Sequence, residues 1–218
     1  PVVTIGLQFT QVPESFDRLQ AWDLQAGWQS VGATTFAFPL FACPNCGGDL
    51  LLENGHGVEG ADRLNCTRCD WAFAGWVGSK ATLRENPPAL FLPTVDSLHQ
   101  WMHDRRYGRI FGDDGGFASP RAVLADEIHL YSYVHGAQVG LALRRLAARS
   151  ELNAGTGARM LAIGMSATLG DPASAWGRLI GREEVGLLTP TADEREPNPR
   201  GREYFFFVQP EVESRGQD

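Results

Sequence analysis

Residues 122–129 read Ala-Val-Leu-Ala-Asp-Glu-Ile-His, a short apolar run that ends in two adjacent carboxylates. Residues 160–168 repeat this arrangement, because the apolar run Met-Leu-Ala-Ile-Gly-Met ends in the polar triplet Ser-Ala-Thr. Between the two runs, residues 136–149 carry apolar side chains every three or four positions, which is typical of a helix packed on one face. The order strand, helix, strand predicts a βαβ unit with parallel strands.

The flanking sequence extends this alternation of strands and helices. Further apolar runs predict strands at residues 1–9, 89–92 and 204–208. A helix is predicted to start from a cap at Asp96 or Ser97 and to run to about Arg106. Asp171 followed by Pro172 is typical of another helix start. We therefore predict an α/β fold with a parallel sheet flanked by helices.

Composition excludes several classes of protein. With 218 residues, 43% hydrophobic and 21% charged, the chain is long enough for one ordinary domain with a small insertion. A net charge of −7 excludes nucleic-acid binding by bulk positive charge. No stretch approaches the ~20 apolar residues of a membrane span, so we expect a cytoplasmic protein without membrane contact. The chain begins at Pro1 without an initiator methionine, and we interpret it as a piece of a longer protein.

All four cysteines lie in two Cys-x-x-Cys pairs, Cys43/Cys46 and Cys66/Cys69. Zinc binds four tetrahedral ligands, and each Cys-x-x-Cys turn supplies two thiolates. Two disulfides or a redox pair are the alternatives. The chain shows no secretory signal, which disfavours disulfides, and the doubled motif disfavours a redox pair. We predict a structural zinc ribbon with its own core, inserted at residues 42–78 between residues 1–41 and 79–218 of an α/β domain.

The two polar strand ends predict a shared site. In open α/β sheets, ligands bind at the carboxyl ends of the strands. Adjacent carboxylates there suit phosphoryl chemistry, in which one holds Mg²⁺ and the other deprotonates an attacking water. Because parallel neighbours end at the same edge, we expect His129 to meet the hydroxyls of Ser166 and Thr168. An acidic strand end alone is weak evidence, since many such residues only cap helices.

These two motifs resemble a known family. Asp-Glu-Ile-His at 126–129 and Ser-Ala-Thr at 166–168 look like motifs II and III of superfamily 2 helicases of the DEAD/DEAH type, in the first RecA-like lobe. The sequence around both motifs is similar to a bacterial subgroup that includes the DISARM phage-defence helicase and helicases associated with DUF1998 domains. The resemblance covers residues 87–210. It implies a RecA-like parallel sheet, here an incomplete lobe, in an ATP-dependent DNA helicase.

The resemblance also implies roles for single residues. Asp126 would hold Mg²⁺ through water, and Glu127 would be the general base for ATP hydrolysis. His129, with Ser166 and Thr168, would couple hydrolysis to strand movement.

A second set of implied roles concerns DNA, either single-stranded or at a duplex end. Thr94 lies in the place of motif Ib, and Arg105 and Arg106 follow its helix, where contact with phosphates is expected. Other implied partners are the remainder of the polypeptide and a DUF1998-type subunit. We interpret Arg144, Arg145 and Arg149 as a solvated helix face. His99 and His103 are interpreted as surface histidines without a ligand partner.

The chain lacks the phosphate-binding loop of such enzymes. That loop needs a lysine followed directly by Ser or Thr, whereas Lys80, the single lysine, is followed by Ala81. We expect this piece alone to be inactive, with the loop and the second RecA-like lobe supplied by the rest of the protein. The alternative is a non-catalytic zinc-ribbon adaptor on a degenerate helicase lobe, which binds a partner protein or DNA.

Overall fold

The computed structural model describes residues 2–166, 169–191 and 193. The chain divides into two compact units, residues 1–185 and 186–218, and all of the regular structure described lies in the first. Within the described residues, no helix is long and apolar enough to cross a bilayer. The strand predicted at 204–208 lies outside the described residues.

The first unit contains nine described strands and five α-helices. The strands are β1 (Ile5–Gln8), β2 (Gln29–Ser30), β3 (Thr35–Phe38), β4 (Leu50–Glu53), β5 (Asp62–Cys66), β6 (Ala72–Val77), β7 (Leu90–Pro93), β8 (Ala122–Ala125) and β9 (Leu161–Gly164). The α-helices are α1 (Ala21–Gln25), α2 (Lys80–Glu85), α3 (Val95–His103), α4 (Tyr133–Ala154) and α5 (Pro172–Ile180). Two 3₁₀ helices span Arg105–Phe111 and Ile128–Leu130.

Seven strands form one mixed sheet in the order β2-β3-β4-β5-β6-β1-β7. Strands β2 to β6 are antiparallel, whereas β1 lies parallel to both β6 and β7. Ile5 is paired with Trp76 on one side and with Leu90 on the other. The prediction of one parallel sheet is therefore wrong for this part of the molecule. The strands of residues 42–78 continue a sheet shared with β1 and β7, so the expectation of an isolated ribbon is not met.

The βαβ unit predicted from residues 122–168 is present. Strands β8 and β9 pair in parallel, from Ala122 opposite Leu161 to Ala125 opposite Gly164. Helix α4 connects them, and α5 follows, with Pro172 in its first turn. The Asp171 carboxylate caps α5 by accepting a hydrogen bond from the Ser174 amide, as the sequence predicts.

Three hydrophobic clusters lie between the strands and helices described above. The first, rich in aromatic side chains, packs the antiparallel strands against the segment that contains Phe16 and Trp28, and Ile5 of β1 also packs on it. The second lies among α2, α3, the 3₁₀ helix Arg105–Phe111 and α4, with Phe111 fully buried. The third packs α4 and α5 on β8 and β9 and includes the buried Trp176. The ribbon strands therefore share their core with β1.

Two arginines of α4 hold neighbouring elements together. Arg149 donates to the Asp113 carboxylate and to the Met102 carbonyl, and its guanidinium lies 4.3 Å from the centre of the Phe111 ring. Arg144 donates to the Leu179 carbonyl at the end of α5. The interpretation as a solvated face is wrong for Arg149, which is partly buried and binds a backbone carbonyl. Arg144 is exposed, but it also binds a backbone carbonyl, which no sequence pattern reveals.

Asp62 connects the ribbon strands to the start of α2. It is fully buried, and one carboxylate oxygen accepts hydrogen bonds from Asn54 Nδ2 (2.9 Å) and the Gly55 amide (2.8 Å). The other oxygen accepts from the Gly78 amide at 3.0 Å. Burial raises the pKa of this carboxyl, while the three donors act in the opposite direction. Asp62 thus fixes the β4–β5 turn against the residues that lead into α2.

Asp62→Ala should lower the free energy of unfolding by about 2–5 kcal/mol, because three hydrogen-bond donors lose their acceptor at a buried position. Urea denaturation followed by circular dichroism measures this change. Asp70→Ala is the matched control, since Asp70 is an exposed carboxylate on the neighbouring turn, and it should change little. Equal stability of the two variants would contradict the structural role of Asp62.

Candidate metal centre and acidic strand end

The four cysteines come from two turns that face each other. Cys43 and Cys46 lie in the turn before β4, Cys66 ends β5, and Cys69 lies in the turn that leads to β6. The first turn is closed by hydrogen bonds from the Cys43 amide to the Gly48 carbonyl and from the Gly47 amide to the Cys43 carbonyl, both 2.8 Å. Gly47 has a φ of +69°, in the left-handed region that glycine adopts without strain.

The sulfur positions fit a tetrahedral zinc site. Cys43 Sγ lies 3.8 Å from Cys69 Sγ, Cys46 Sγ lies 3.4 Å from Cys66 Sγ, and all four sulfurs lie within 4.8 Å of one another. In a tetrahedron with Zn–S bonds of ~2.3 Å, neighbouring sulfurs are ~3.8 Å apart. None of the four forms a disulfide. The cysteines could hold one zinc ion, as their spacing predicts.

Polar groups around the sulfurs favour thiolate ligands. Asn45 Nδ2 lies 3.5 Å from Cys69 Sγ and is the main cause that lowers the pKa of Cys69 to about 6. The Gly48 amide lowers the pKa of Cys46, but the neighbouring thiols, Cys66 first, outweigh it and raise that pKa to about 12. Cys43, Cys46, Cys66 and Cys69 would bind zinc as thiolates, so their thiol protons would be released on binding. Asn45 is a functional residue that sequence reasoning missed, although its position inside a Cys-x-x-Cys turn signals it.

The two polar strand ends lie side by side. Asp126 and Glu127 directly follow β8, and Ser166 follows β9 by one residue. The strand pairing continues beyond the sheet, because the Met165 amide donates to the Ala125 carbonyl at 2.8 Å and the Ile128 amide donates to the Met165 carbonyl at 3.1 Å. These backbone bonds hold the acidic residues close to Ser166.

His129 links the two strand ends. Its Nδ1 lies 3.2 Å from Ser166 Oγ and 3.1 Å from Glu127 Oε2. A neutral imidazole with its proton on Nδ1 can donate to the Glu127 carboxylate or to the Ser166 hydroxyl. The predicted meeting of His129 with Ser166 is therefore present in the structure. Thr168, the other predicted hydroxyl, lies outside the described residues.

The backbone of Glu127 is in an unusual conformation. It has φ 50° and ψ 43°, in the left-handed region that residues other than glycine rarely adopt, and its amide donates to Asp126 Oδ1 at 2.8 Å. Such strain occurs preferentially at functional sites. The Glu127 side chain is 56% exposed, and Asp126 is also exposed. Both carboxylates can therefore reach a hydrated ion or a water molecule from solvent.

Two of the three residues predicted to contact DNA, Thr94 and Arg106, have partners within the described structure. Thr94 Oγ1 caps α3 by accepting a hydrogen bond from the Ser97 amide at 3.2 Å, so the predicted cap at Asp96 or Ser97 is wrong by two or three residues. Arg106 is 70% exposed and pairs with Asp104 at 2.6 Å, while Arg105 is exposed. Thr94 thus stabilises the start of α3, whereas Arg105 and Arg106 are exposed to solvent.

Comparison with known proteins gives few matches. No family model matches the chain, and no curated protein matches it. The DUF1998 helicase MrfA bound to DNA is 23% identical over 47% of this chain and 13% of that one, with a TM-score of 0.39. The structure titled DUF1998 helicase MrfA gives the same identity, TM-score and share of this chain, and 15% of that chain. The chain therefore spans less than a sixth of the proteins that it matches.

Proposed function

We propose that this chain is part of an ATP-dependent superfamily 2 DNA helicase or translocase and carries motifs II and III of a RecA-like lobe. The observation that carries the proposal is the contact of His129 with both Glu127 and Ser166 at the carboxyl ends of β8 and β9. The motif resemblance of these residues points the same way. A role in bacterial anti-phage defence, in the cytoplasm, is part of this proposal and rests on the resemblance alone.

The proposed roles follow from the positions of the polar groups. Asp126 holds a hydrated Mg²⁺, which neutralises charge on the ATP phosphates. Glu127 takes the proton from the water that attacks the γ-phosphate. Because His129 Nδ1 contacts Glu127 and Ser166, the imidazole can transmit a movement of the carboxylate to the segment after β9.

The phosphate-binding loop of the proposed enzyme has to come from polypeptide outside this chain. Lys80, the single lysine, begins α2 after a strand of the seven-stranded sheet, and its backbone amide donates to the Pro13 carbonyl at 3.0 Å. It is not followed by the hydroxyl that binds Mg²⁺ in a phosphate-binding loop. We therefore propose that this piece alone does not hydrolyse ATP. The active helicase would also contain a second RecA-like lobe and a DUF1998-type subunit.

DNA is the proposed substrate of the complete protein. Arg106 can exchange its exposed ion pair with Asp104 for a phosphate at small cost, since solvent-exposed ion pairs contribute little to stability. Arg105 lies next to Arg106, just after the end of α3, and Thr94 caps the first turn of that helix. The zinc ribbon is proposed to stabilise the lobe.

Ser166→Ala combined with Thr168→Ala should uncouple the motor in the intact protein without abolishing ATP hydrolysis. Neither hydroxyl holds phosphate or metal in this proposal, and loss of one or two hydrogen bonds corresponds to about 1–3 kcal/mol. DNA-stimulated ATP hydrolysis and strand displacement are measured on the same variant. We expect retained hydrolysis with strand displacement lost.

The melting temperature is the control for this variant. A parallel fall in hydrolysis, strand displacement and melting temperature would mean that the hydroxyls only stabilise the turn. An intact wild-type protein that binds DNA or a partner protein but shows no ATP hydrolysis would favour the adaptor instead.

A further inference from the structure

Two histidines form a pair on the exposed face of α3. His99 and His103 are four residues apart, so they lie one helical turn apart on the same face. Both are exposed, their ring centroids are 5.0 Å apart, and the ring planes cross at 85°. The interpretation that these histidines lack a partner at ligand spacing is wrong, since the i, i+4 spacing already brings the rings together.

The separation of the rings matches that of two imidazoles on one metal ion. With metal–nitrogen bonds of ~2.1 Å and a nitrogen–metal–nitrogen angle of about 90–110°, two imidazole centroids are about 4.6–5.3 Å apart. The observed 5.0 Å falls within this interval. Both side chains are exposed, and the χ2 torsion of histidine is broad, so the rings can rotate to present their nitrogens to an ion.

The helix holds the pair in place. Leu98 and Trp101 are buried on the opposite side of α3, and Thr94 caps its first turn. The backbone positions of both histidines are therefore fixed before a metal binds, which reduces the entropy lost on binding. His103 lies in the last turn, where the partial negative charge of the helix end favours a cation.

We propose that His99 and His103 form a second metal site, separate from the four-cysteine centre, for a divalent transition-metal ion. Neutral imidazole suits Zn²⁺, Ni²⁺ and Cu²⁺, whereas Mg²⁺ and Ca²⁺ prefer oxygen ligands. Two imidazoles leave the remaining coordination positions to water. The affinity should follow Ni²⁺ < Cu²⁺ > Zn²⁺.

Isothermal titration of NiCl₂ into the zinc-loaded protein tests this proposal. One Ni²⁺ should bind per chain, and either His99→Ala or His103→Ala should weaken the binding by about tenfold or more, because the second imidazole acts at high effective concentration. Cu²⁺ electron paramagnetic resonance should show two nitrogen ligands in the wild type and one in each single variant.

Two controls make the result specific to the pair. His56→Ala removes an exposed histidine from the turn between β4 and β5 and should leave the affinity unchanged. Gln100→His in the His103→Ala background keeps the number of histidines but places the second one at i+1, which does not face the first, and should not restore binding. Equal Ni²⁺ affinity of the wild type and the His99→Ala/His103→Ala variant, or no Ni²⁺ binding at all, would overturn the proposal.

Discussion

Glu127→Gln in the intact protein should reduce ATP hydrolysis by about 10²–10⁴ while ATP binding survives. The amide keeps the length and shape of the side chain, and its oxygen can still accept a hydrogen bond from His129. It cannot take a proton from the attacking water, so the proposed general base is lost. The measurement is steady-state turnover with saturating DNA, together with the dissociation constant of a fluorescent ATP analogue.

Glu85→Gln is the matched control, since Glu85 is exposed at the end of α2 and belongs to no part of the proposed site. It should turn over ATP as the wild type does. Wild-type turnover in Glu127→Gln would remove Glu127 from the role of base. Loss of ATP binding in that variant would instead mean that the carboxylate supports the nucleotide directly.

Much of the site at the ends of β8 and β9 could be predicted, because the end of an apolar run in a sequence indicates where a strand ends. The apolar runs at 122–125 and 160–165 define where β8 and β9 stop, and parallel neighbours end at one edge. The proximity of His129 to Ser166 follows from those two facts. The left-handed backbone of Glu127 could not be predicted, because nothing local distinguishes this glutamate from one in a relaxed turn.

The sheet order was beyond prediction for a different reason. Residues 42–78 have the composition of a separate module, and the cysteine cluster was found from spacing alone. Pairing of β6 with β1 joins residues about 70 positions apart, and neither strand carries a pattern that specifies its neighbour. The burial of the Asp62 carboxylate could not be predicted either, since its hydrogen-bond donors are two backbone amides and one asparagine side chain. Long-range pairing of this kind is decided by packing.

The pairing of β6 with β1 changes the expected effect of zinc loss on stability. A ribbon with its own core would unfold alone and leave the remaining sheet intact. Here β5 pairs with β6, and β6 pairs with β1. Ile5 and Leu7 of β1 also pack on the same cluster as Leu50, Leu52 and Leu64 of the ribbon strands. Unfolding of the ribbon strands would therefore expose one face of β1 and leave one of its edges unpaired.

Cys66→Ser should consequently lower the stability of residues 1–185 as one unit. The serine hydroxyl is not ionised at neutral pH and does not replace a thiolate ligand. Zinc binding to four-ligand structural sites supplies on the order of 10–16 kcal/mol, which matches or exceeds the ~5–15 kcal/mol stability of ordinary domains. We expect zinc content well below one ion per chain and a single thermal transition at a much lower temperature, with helical and aromatic circular dichroism lost together.

Thr67→Ser is the matched control, because Thr67 neighbours Cys66, is exposed, and keeps its hydroxyl bond to the Asp49 carbonyl in the variant. It should retain one zinc ion and the wild-type melting temperature. Unchanged zinc content and melting in Cys66→Ser would exclude the four-cysteine centre. Two transitions, with the helical signal preserved through the first, would mean that the ribbon strands unfold independently despite their pairing with β1, because the interface between β6 and β1 would then be too weak to transmit the loss.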